Sequence, residues 1–400
     1  MGPLSGIRVV DVTMWAFGPS AAGVLSHWGA DVIKIENPKS PDPNRVLGGT
    51  MEPGGASRSF KNYNRGKRAV ALDLGSDAGR EVLYRMIDNA DVFLTSFLEP
   101  TRRKLGFDVE HIKARNQRTV YAKITGLGPL GPESGRRGYD AAVWWARGSL
   151  AQTTMDVSGA QEPTGMVGHG DTMSGMVMAG GICAALLQRS LTGVAPVVDG
   201  SLLSTAVWFN HQPIIASSPG LPSATAAPPM MGERPATSRA YKTKDERWVS
   251  FVFVNDPDDE WVDLCKHLDR TDLATDPRYA TRGARAEHCA DTVAVLTDYI
   301  AARTLEELKV SLGATRGVWQ PVQTPAEMHF DPQVLANRYL QPVEYPTGTL
   351  NVPTPPVLFD NDAFTAKRAP DFAEHTDEVL RELGYDDAGI ATLRADGVVA

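Results

Sequence analysis

Cysteine is scarce in this chain of 400 residues, which has only Cys183, Cys265 and Cys289 and no CxxC pair. An odd, small number without metal-ligand spacing argues against a disulfide framework or a zinc site and is typical of a reduced, cytosolic chain. Basic residues are also fewer than acidic ones: the chain has 40 Lys and Arg and 48 Asp and Glu, which gives a net charge of -8. That charge disfavours non-specific binding to nucleic acid or anionic membranes. We therefore expect a cytoplasmic protein without a metal, a nucleic-acid partner or a membrane partner.

Long hydrophobic runs and the usual nucleotide motifs are missing as well. The N-terminus lacks the pattern of a signal peptide, and the longest apolar stretch, residues 175–187, is too short to cross a bilayer. No Walker sequence occurs. The first strand-to-helix turn, TMWAFGPSAAG, contains only Gly18 and Gly23 and places Trp15 and Phe17 where a dinucleotide fold has its glycine fingerprint. The sequence thus argues against a typical NAD or ATP site.

What the sequence does contain is an alternation of strand and helix signals. Apolar runs predict strands over 7–12, 31–36, 69–74, 91–97 and 119–128, and helices over 19–29, 77–89, 108–116 and 172–189 lie between or after them. Such βαβ units predict a parallel sheet. A Pro-, Ala- and Ser-rich stretch over 217–238 is interpreted as a linker. Beyond it, the pattern predicts a hairpin over 241–254 and helices over 257–268, 285–302, 304–312 and 375–384.

One carboxylate stands at the start of the most apolar segment, GMVGHGDTMSGMVMAGGICAALLQR (165–189). Asp171 is well placed to be the N-cap of the predicted helix, and spacing alone favours this structural role over catalysis. The surrounding glycines suggest close approach of backbone to backbone or to a ligand. His169 has two interpretations, a general base or a polar loop residue.

Three basic clusters lie near predicted strand or helix ends: NYNRGKRAVALDL (62–74), TRRKLG (101–106) and RRGYD (136–140). Each by itself is typical of a solvated surface. Together they make a polyanionic ligand a reasonable hypothesis, since basic side chains and turn N–H groups bind phosphates.

The order of several segments resembles the family III CoA-transferases, with α-methylacyl-CoA racemase as a relative. The similar segments are LSGIRVVDVTMWAFGPSAAGVLSHWGADVIKIENP, NRGKRAVALDL, LGPLGPESGRRGYD, GDTMSGMVMAGGICAALLQRSLTGVAPVVDGSLL, YKTKDERWVSF, DPRYATRGAR and HTDEVLRELGYDDAGIATLRADGVV. The resemblance implies that Asp171 is a nucleophile that passes through an acyl anhydride and an aspartyl-CoA thioester. Its substrates would be an acyl-CoA and a free carboxylic acid, with no tightly bound cofactor.

The resemblance also implies a binding site and an architecture. Residues near the family's CoA-binding positions are Phe17, Asn64, Lys67, Arg68, Phe97, Lys104 and Arg137, and Tyr139, Asp140 and His169 are candidates for substrate binding. The expected fold is α/β: a Rossmann-like large domain from residues 1–216 and 326–400, the linker 217–238, and a smaller α+β domain over 239–325. Two copies would form an interlocked homodimer.

Some positions depart from the family pattern. The pair Tyr139-Asp140 replaces the His-Asp of racemases, which favours transfer over racemisation because tyrosine, with an ordinary pKa near 10, is a poor base. Ser96 stands where the family usually has Asn, and the segment PPMMGERPATS has one glycine, Gly232, where formyl-CoA transferase has a glycine-rich loop. Two alternatives stay open: an acyl-CoA racemase or isomerase that uses His169 or Asp171, and a noncatalytic CoA-binding subunit.

Overall fold

The computed structural model describes residues 2–47, 56–163, 165–220 and 234–400. The chain forms two compact units. Unit 1 combines residues 1–155, 161–215 and 331–400, and unit 2 combines residues 156–160 and 216–330. Both ends of the chain therefore contribute to unit 1. Residues 221–233, which include Gly232 and most of the predicted linker, lie outside the described residues.

A six-stranded sheet forms the centre of unit 1. Its strands are β1 (Arg8–Val12), β2 (Asp31–Glu36), β3 (Arg68–Ala71), β4 (Val92–Thr95), β5 (Val120–Thr125) and β6 (Val197–Ser201). They lie in the order β3-β2-β1-β4-β5-β6, and every neighbouring pair is parallel. The prediction of an α/β fold with a parallel sheet is confirmed, and the strand order is that of a Rossmann fold.

Alternation along the strands builds a core on each face of this sheet. Val9 and Val32 belong to one buried cluster, whereas Val10 and Ile33, one residue further along, belong to another. Side chains on a strand point alternately to opposite faces, so runs that are apolar at every position are buried on both sides. The strands are therefore mostly hydrophobic, and charged residues within them, such as Asp11 and Lys34, are buried in ion pairs.

Helices cover the two faces. In chain order they are α1 (Phe17–His27), α2 (Arg58–Tyr63), α3 (Asp77–Asp88), α4 (Glu99–Lys104), α5 (Val109–Arg115), α6 (Leu150–Ser158), α7 (His169–Thr192), α8 (Leu202–Phe209) and α9 (His211–Ala216). A 3-10 turn spans Pro43–Val46 and a π-helical segment spans Ala141–Arg147. The sequence patterns did not indicate α2, α6 or the π-helical segment.

The start of α7 differs from its prediction. The helix begins at His169 rather than at residue 172, because Gly168 adopts a left-handed conformation (φ 77°) and serves as the N-cap. Glycine takes that conformation without the steric cost that a side chain would add. Asp171 is therefore the third residue of the helix, and the prediction that it is the N-cap is wrong.

Helix α7 is also longer than its apolar run. Its 24 residues are long and apolar enough to cross a membrane by length and composition, although residues 175–187 alone are too short. The same composition suits a helix packed in a core, and α7 packs closely on α1. A Cβ at Gly175 would lie 2.5 Å from Ser20 Oγ and 3.0 Å from the Ala21 nitrogen, so this crossing requires glycine.

The described residues of unit 2 include a small antiparallel sheet and several helices. The sheet has the order β7 (Ala240–Lys242), β8 (Trp248–Phe251), β9 (Trp319–Pro321), and β7 and β8 form the predicted hairpin. The helices are α10 (Asp258–His267), α11 (Thr271–Thr275), α12 (Arg282–Glu287), α13 (Cys289–Ala301) and α14 (Leu305–Leu312). The helix predicted over 285–302 is thus two helices, separated at His288, whose ψ of 33° is not helical.

The last segment of the chain returns to unit 1. A short 3-10 turn, Glu327–His329, precedes α15 (Pro332–Ala336), the antiparallel hairpin β10 (Leu340–Tyr345) and β11 (Gly348–Pro353), α16 (Thr376–Glu382) and α17 (Asp387–Ala395). Leu380 in α16 and Leu393 in α17 join the core on one face of the parallel sheet. The sequence patterns indicated α16 but neither the hairpin nor α17.

Candidate active site

A cleft of about 460 Å³ opens at the carboxyl ends of the central strands. Its walls come from the segments that follow β1, β4, β5 and β6, and from Asp171 in α7. The lining residues are Met14, Trp15, Phe17, Ser96, Phe97, Leu98, Thr101, Ile124, Thr125, Gly126, Arg136, Arg137, Gly138, Tyr139, Asp171 and Leu202. The sheet order changes direction between β1 and β4, and open α/β sheets bind ligands at such a switch point.

Trp15, at the mouth of the first βα turn, has a backbone conformation that is rare for a residue with a side chain (φ 68°). Two hydrogen bonds hold it: its N–H donates to Asp42 Oδ1 at 3.0 Å, and its carbonyl accepts from Asn44 Nδ2 at 2.9 Å. Asp42 is itself fixed by a buried ion pair with Lys34, at 2.9 Å. Such strain costs on the order of 1–3 kcal/mol and persists where the surroundings impose it. The network thus sets the position of the indole at the cleft.

Aromatic and basic side chains face each other across this opening. Tyr139 lies edge-on to Trp15, with ring centroids 5.8 Å apart and an interplanar angle of 84°. Arg137 lines the cleft, is exposed, and makes no ion pair within the described ranges. Arg136, next to it, pairs instead with Glu133. The opening therefore offers a guanidinium and flat apolar surfaces, which suit a phosphate-bearing ligand with an aromatic or acyl portion.

Asp171 presents its carboxylate to the cleft from the first turn of α7. Among the residues that the structure describes, none donates a hydrogen bond to that carboxylate. Burial, and to a smaller extent the nearby charge of Asp140, raise the pKa of Asp171 from 3.8 to about 7. This rise corresponds to roughly 4 kcal/mol in favour of the neutral acid.

The position of Asp171 in the first turn of α7 does not offset this rise in its pKa. A charge at a helix N-terminus gains only about 0.3–1 kcal/mol. Burial and a neighbouring carboxylate outweigh this gain, so the pKa of Asp171 is raised overall in the ligand-free protein.

The N–H groups at the start of α7 face Asp140 rather than the cleft. Asp140 is buried, and its Oδ2 accepts from the Gly168 N–H at 2.8 Å. The N–H groups of Gly170 and Asp171 also lower its pKa, although its Oδ1 has no hydrogen bond of ordinary geometry. Burial is the larger effect and raises the pKa of Asp140 overall. These N–H groups therefore interact with Asp140.

Gly170 makes this arrangement possible. A Cβ on Gly170 would lie 2.2 Å from Asp140 Oδ1 and 2.3 Å from Trp144 Cγ. Trp144 and Trp145 are buried in the π-helical segment, so this pair belongs to the core that supports the site. π-helical turns are rare and often occur near functional sites.

Tyr63 is a neighbour of Asp171 that the sequence did not reveal. Its hydroxyl lies 2.9 Å from Thr172 Oγ1, and Thr172 in turn donates to the Gly168 carbonyl at 2.7 Å. Burial raises the pKa of Tyr63, to which the charges of Asp171 and Asp140 also contribute. The tyrosine comes from α2, more than a hundred residues earlier in the chain, and no local pattern marks it.

The structure brings some of the predicted CoA-binding residues together and separates others. Phe17, Phe97 and Arg137 line the cleft with Tyr139 and Asp171. Lys104 is exposed at the end of α4 and is not among the lining residues.

The other three come from the segment around β3. Asn64 and Lys67 are buried, and the Lys67 ammonium is held by Asp11 at 2.9 Å and by Asn64 Oδ1 at 2.8 Å. Arg68 begins β3, at the amino edge of the parallel sheet, where it pairs with Asp31 at 2.6 Å. None of the three is among the cleft-lining residues.

His169 is the first residue of α7 and is exposed. Its ring lies edge-on to Trp145, with centroids 6.5 Å apart, and it is not among the cleft-lining residues.

These features define a class: an α/β protein of Rossmann strand order with a carboxylate presented to a cleft at the switch point. The family model for CoA-transferase family III matches residues 4–376. The (R)-2-hydroxy-4-methylpentanoate CoA-transferase of Clostridioides difficile is 29% identical over 99% of both chains. The formyl-CoA:oxalate CoA-transferase of Rhodopseudomonas palustris (strain ATCC BAA-98 / CGA009) is 31% identical over 99% of this chain and 97% of that protein. The structure of a CAIB/BAIF family protein from Brucella suis superposes with a TM-score of 0.80 at 28% identity, covering 96% of this chain and 99% of that one.

The chain belongs to CoA-transferase family III and is a transferase enzyme that acts in acyl-CoA metabolism. The family predicted from the sequence is confirmed.

Proposed function

We propose that this protein transfers CoA from an acyl-CoA to a free carboxylic acid and that Asp171 is the nucleophile. The observation that supports it most is the Asp171 carboxyl, which lines the cleft and accepts no hydrogen bond from the described part of the chain. A buried carboxylate that has only a structural role is normally hydrogen-bonded or ion-paired. A carboxylate that has a raised pKa and faces a cleft without such a partner is a candidate catalytic group.

The proposed reaction consists of four substitutions at carbonyl carbon. The ionised Asp171 attacks the thioester, CoA thiolate leaves, and a mixed anhydride forms. The thiolate then attacks the aspartyl carbonyl, releasing the donor acid and leaving an aspartyl-CoA thioester. The acceptor carboxylate attacks this thioester and displaces CoA thiolate, and the thiolate attacks the acceptor's own carbonyl. Acceptor acyl-CoA and free Asp171 result, with no net change in protons.

The burial of Asp171 has a direct consequence for these steps. Both covalent intermediates replace a charged carboxylate by a neutral anhydride or thioester. A buried charge is costly, whereas a neutral ester-like group is not. The environment that raises the pKa of Asp171 to about 7 therefore favours the acylated enzyme over the free carboxylate. As the pH rises through about 7, a growing share of the Asp171 carboxyls is ionised and able to attack.

CoA is expected to enter past Phe17, Phe97 and Arg137. The guanidinium of Arg137 has no acidic partner in the ranges described and suits the phosphates of CoA. The aromatic walls formed by Trp15 and Tyr139 suit the acyl portion. The names of two relatives, a (R)-2-hydroxy-4-methylpentanoate CoA-transferase and a cinnamoyl-CoA:phenyllactate CoA-transferase of Clostridium sporogenes, make branched and aromatic 2-hydroxy acids the first acceptors to test.

The racemase alternative receives support from one of its two candidate bases only. Asp171 lines the cleft, whereas His169 is exposed beside Trp145 and is not among the lining residues. Incorporation of deuterium from heavy water into an acyl-CoA, in the absence of any acceptor acid, would favour racemisation. A noncatalytic subunit would instead bind CoA tightly and show no exchange over a broad panel of acids.

The predicted homodimer also remains a proposal. Helices α7 and α8 pack on each other and carry large apolar side chains exposed to solvent, among them Leu187, Leu191 and Trp208, the last with 74% of its surface exposed. Exposed apolar surface of this extent is typical of an interface. We propose that a second copy of the chain covers this exposed surface of α7 and α8. Light scattering on the purified protein measures the particle mass and so distinguishes a monomer from a dimer.

The direct test of function is exchange by the native protein and by Asp171→Asn. We expect the native protein to move CoA between a donor and an acceptor and the variant to show none, with its fold and CoA binding retained. Treatment with hydroxylamine during turnover should inactivate the native protein by capturing the thioester. Turnover by Asp171→Asn at more than a trace level would contradict the nucleophile assignment.

A further inference from the structure

A second pocket lies in unit 1, at the other end of α1 from the cleft. It has a volume of about 210 Å³ and is lined by the last turn of α1, the segment around Arg65, and residues 364–367. Phe17, which lines the cleft, begins α1, and His27, which lines this pocket, ends it. The 11 residues of the helix separate the two sites by about 15 Å.

The guanidinium of Arg65 forms a wall of this pocket and has no acidic partner. Arg65 is 8% exposed, and its Nη1 donates to Asn62 Oδ1 at 2.7 Å. Its Nε is buried without any hydrogen-bond partner, and no ion pair joins Arg65 to an acid within the described ranges. Burial without a counterion lowers its pKa to about 10, so it remains charged at neutral pH. Buried charges are normally paired because an unpaired one is costly.

The rest of the pocket adds positive charge and open space. Lys367 lines it and is exposed, with no ion pair in the described part of the chain. The lining includes no Asp or Glu. The charge of Asp362 raises the pKa of the pocket's histidine, His27, but Asp362 already pairs with Arg338 at 3.2 Å. Burial lowers the pKa of His27, so its ring adds no charge at neutral pH.

Glycine keeps the pocket open. Gly66 has a φ of 74°, and a Cβ there would lie 2.7 Å from Ser26 Oγ, another lining residue. The sequence segment NRGKR, which we had assigned to CoA, thus places Arg65 and Gly66 in a separate enclosure rather than at the cleft.

From the unpaired buried Arg65, the exposed Lys367 in the same lining and the absence of acids from the lining, we infer that this pocket binds a small phosphate-type oxoanion independently of the CoA cleft. An arginine and a lysine that line one pocket bind phosphate with charge-assisted hydrogen bonds. The pocket volume suits a group of this size and excludes a whole CoA molecule. Neither residue takes part in the proposed transfer reaction, so this inference stands or fails separately from it.

The experiment is a calorimetric titration of the purified, full-length protein with inorganic phosphate, in the presence of saturating CoA so that the cleft is occupied. We expect one phosphate per chain. Loss of the Lys367 ammonium in Lys367→Ala should weaken binding about tenfold, the range for one charge-assisted hydrogen bond. Arg65→Gln should abolish it. Arg137→Ala, which changes the cleft, is the matched control and should leave phosphate binding unchanged.

The results distinguish a phosphate-specific pocket from one that binds any small anion. Phosphate binding that is tighter than acetate binding, and that Lys367→Ala weakens, supports the inference. Because Lys367 is exposed, its variant provides a test even where Arg65→Gln fails to fold. No phosphate binding by the native protein, equal or tighter binding of acetate, or binding that Lys367→Ala leaves unchanged would overturn the inference.

Discussion

Removing the charge of Asp140 should make Asp171 a stronger acid. The pKa of Asp171 rises from 3.8 to about 7, with burial as the larger cause and the charge of Asp140 as the smaller one. The whole rise in pKa corresponds to roughly 4 kcal/mol. Asp140 therefore accounts for less than half of it, which is at most about 1.5 pKa units. In the native protein the Gly168 N–H donates to Asp140 Oδ2 at 2.8 Å. The amide oxygen of Asp140→Asn can accept the same hydrogen bond, so the start of α7 should keep its position.

The assay is the pH dependence of kcat/KM, which reports ionisation in the free enzyme. For the native protein we expect activity to rise with pH through about 7, because only ionised Asp171 attacks. In Asp140→Asn this rise should move to lower pH by up to about 1.5 units, so that relative activity at pH 6 increases several-fold. Asp31→Asn, the same substitution at the opposite edge of the sheet, is the control. A rise that stays in place, or moves to higher pH, would refute the electrostatic coupling of the two carboxyls.

Four further outcomes follow from the same geometry. Because the raised pKa of Asp171 makes the folded state bind a proton that the unfolded state releases, stability should fall as pH rises from about 4 to 7. Asp171→Asn should lose this dependence and melt at a higher temperature than the native protein at pH 8, but not at pH 4. Gly170→Ala should destabilise the fold by about 1–3 kcal/mol in urea unfolding, because its Cβ would overlap Asp140 and Trp144. Asn44→Ala removes the hydrogen bond to the Trp15 carbonyl and should raise KM for acyl-CoA more than it lowers kcat. Trp208→Glu should shift the mass in light scattering towards one chain, whereas an unchanged mass would place any interface elsewhere.

Local sequence patterns predicted the framework of unit 1 well. The strands around Val9, Val32 and Val92 are short apolar runs between helix signals, and a run buried on both faces has few other structures available. The carboxyl ends of such strands meet at one edge, so the position of the cleft follows from the same pattern.

The start of α7 was harder to predict. Its position depends on the positive φ of Gly168 and on the hydrogen bond from Gly168 to Asp140, 28 residues earlier in the chain. Spacing within the segment indicated a cap at Asp171, whereas the long-range partner moves the helix start by three residues and leaves Asp171 facing the cleft.

Polar contacts between distant segments were the other feature that the sequence did not reveal. The ion pair of Lys34 with Asp42 fixes Trp15, and Tyr63 reaches Thr172 from α2. Family resemblance placed Lys67 at CoA, but in the folded chain its ammonium is enclosed with Asp11. Local composition marks a lysine as basic and cannot show whether its charge is already paired.

The central claim is that Asp171 forms covalent bonds with both substrates, and isotope transfer tests it most directly. An acceptor acid labelled with oxygen-18 in its carboxylate is turned over with an acyl-CoA, and the peptide that contains residue 171 is analysed by mass spectrometry. When CoA thiolate attacks the acceptor carbonyl of the second anhydride, the bridging oxygen remains with Asp171. The account predicts that oxygen-18 accumulates on Asp171 during turnover. Exchange of CoA without label in this residue would contradict it.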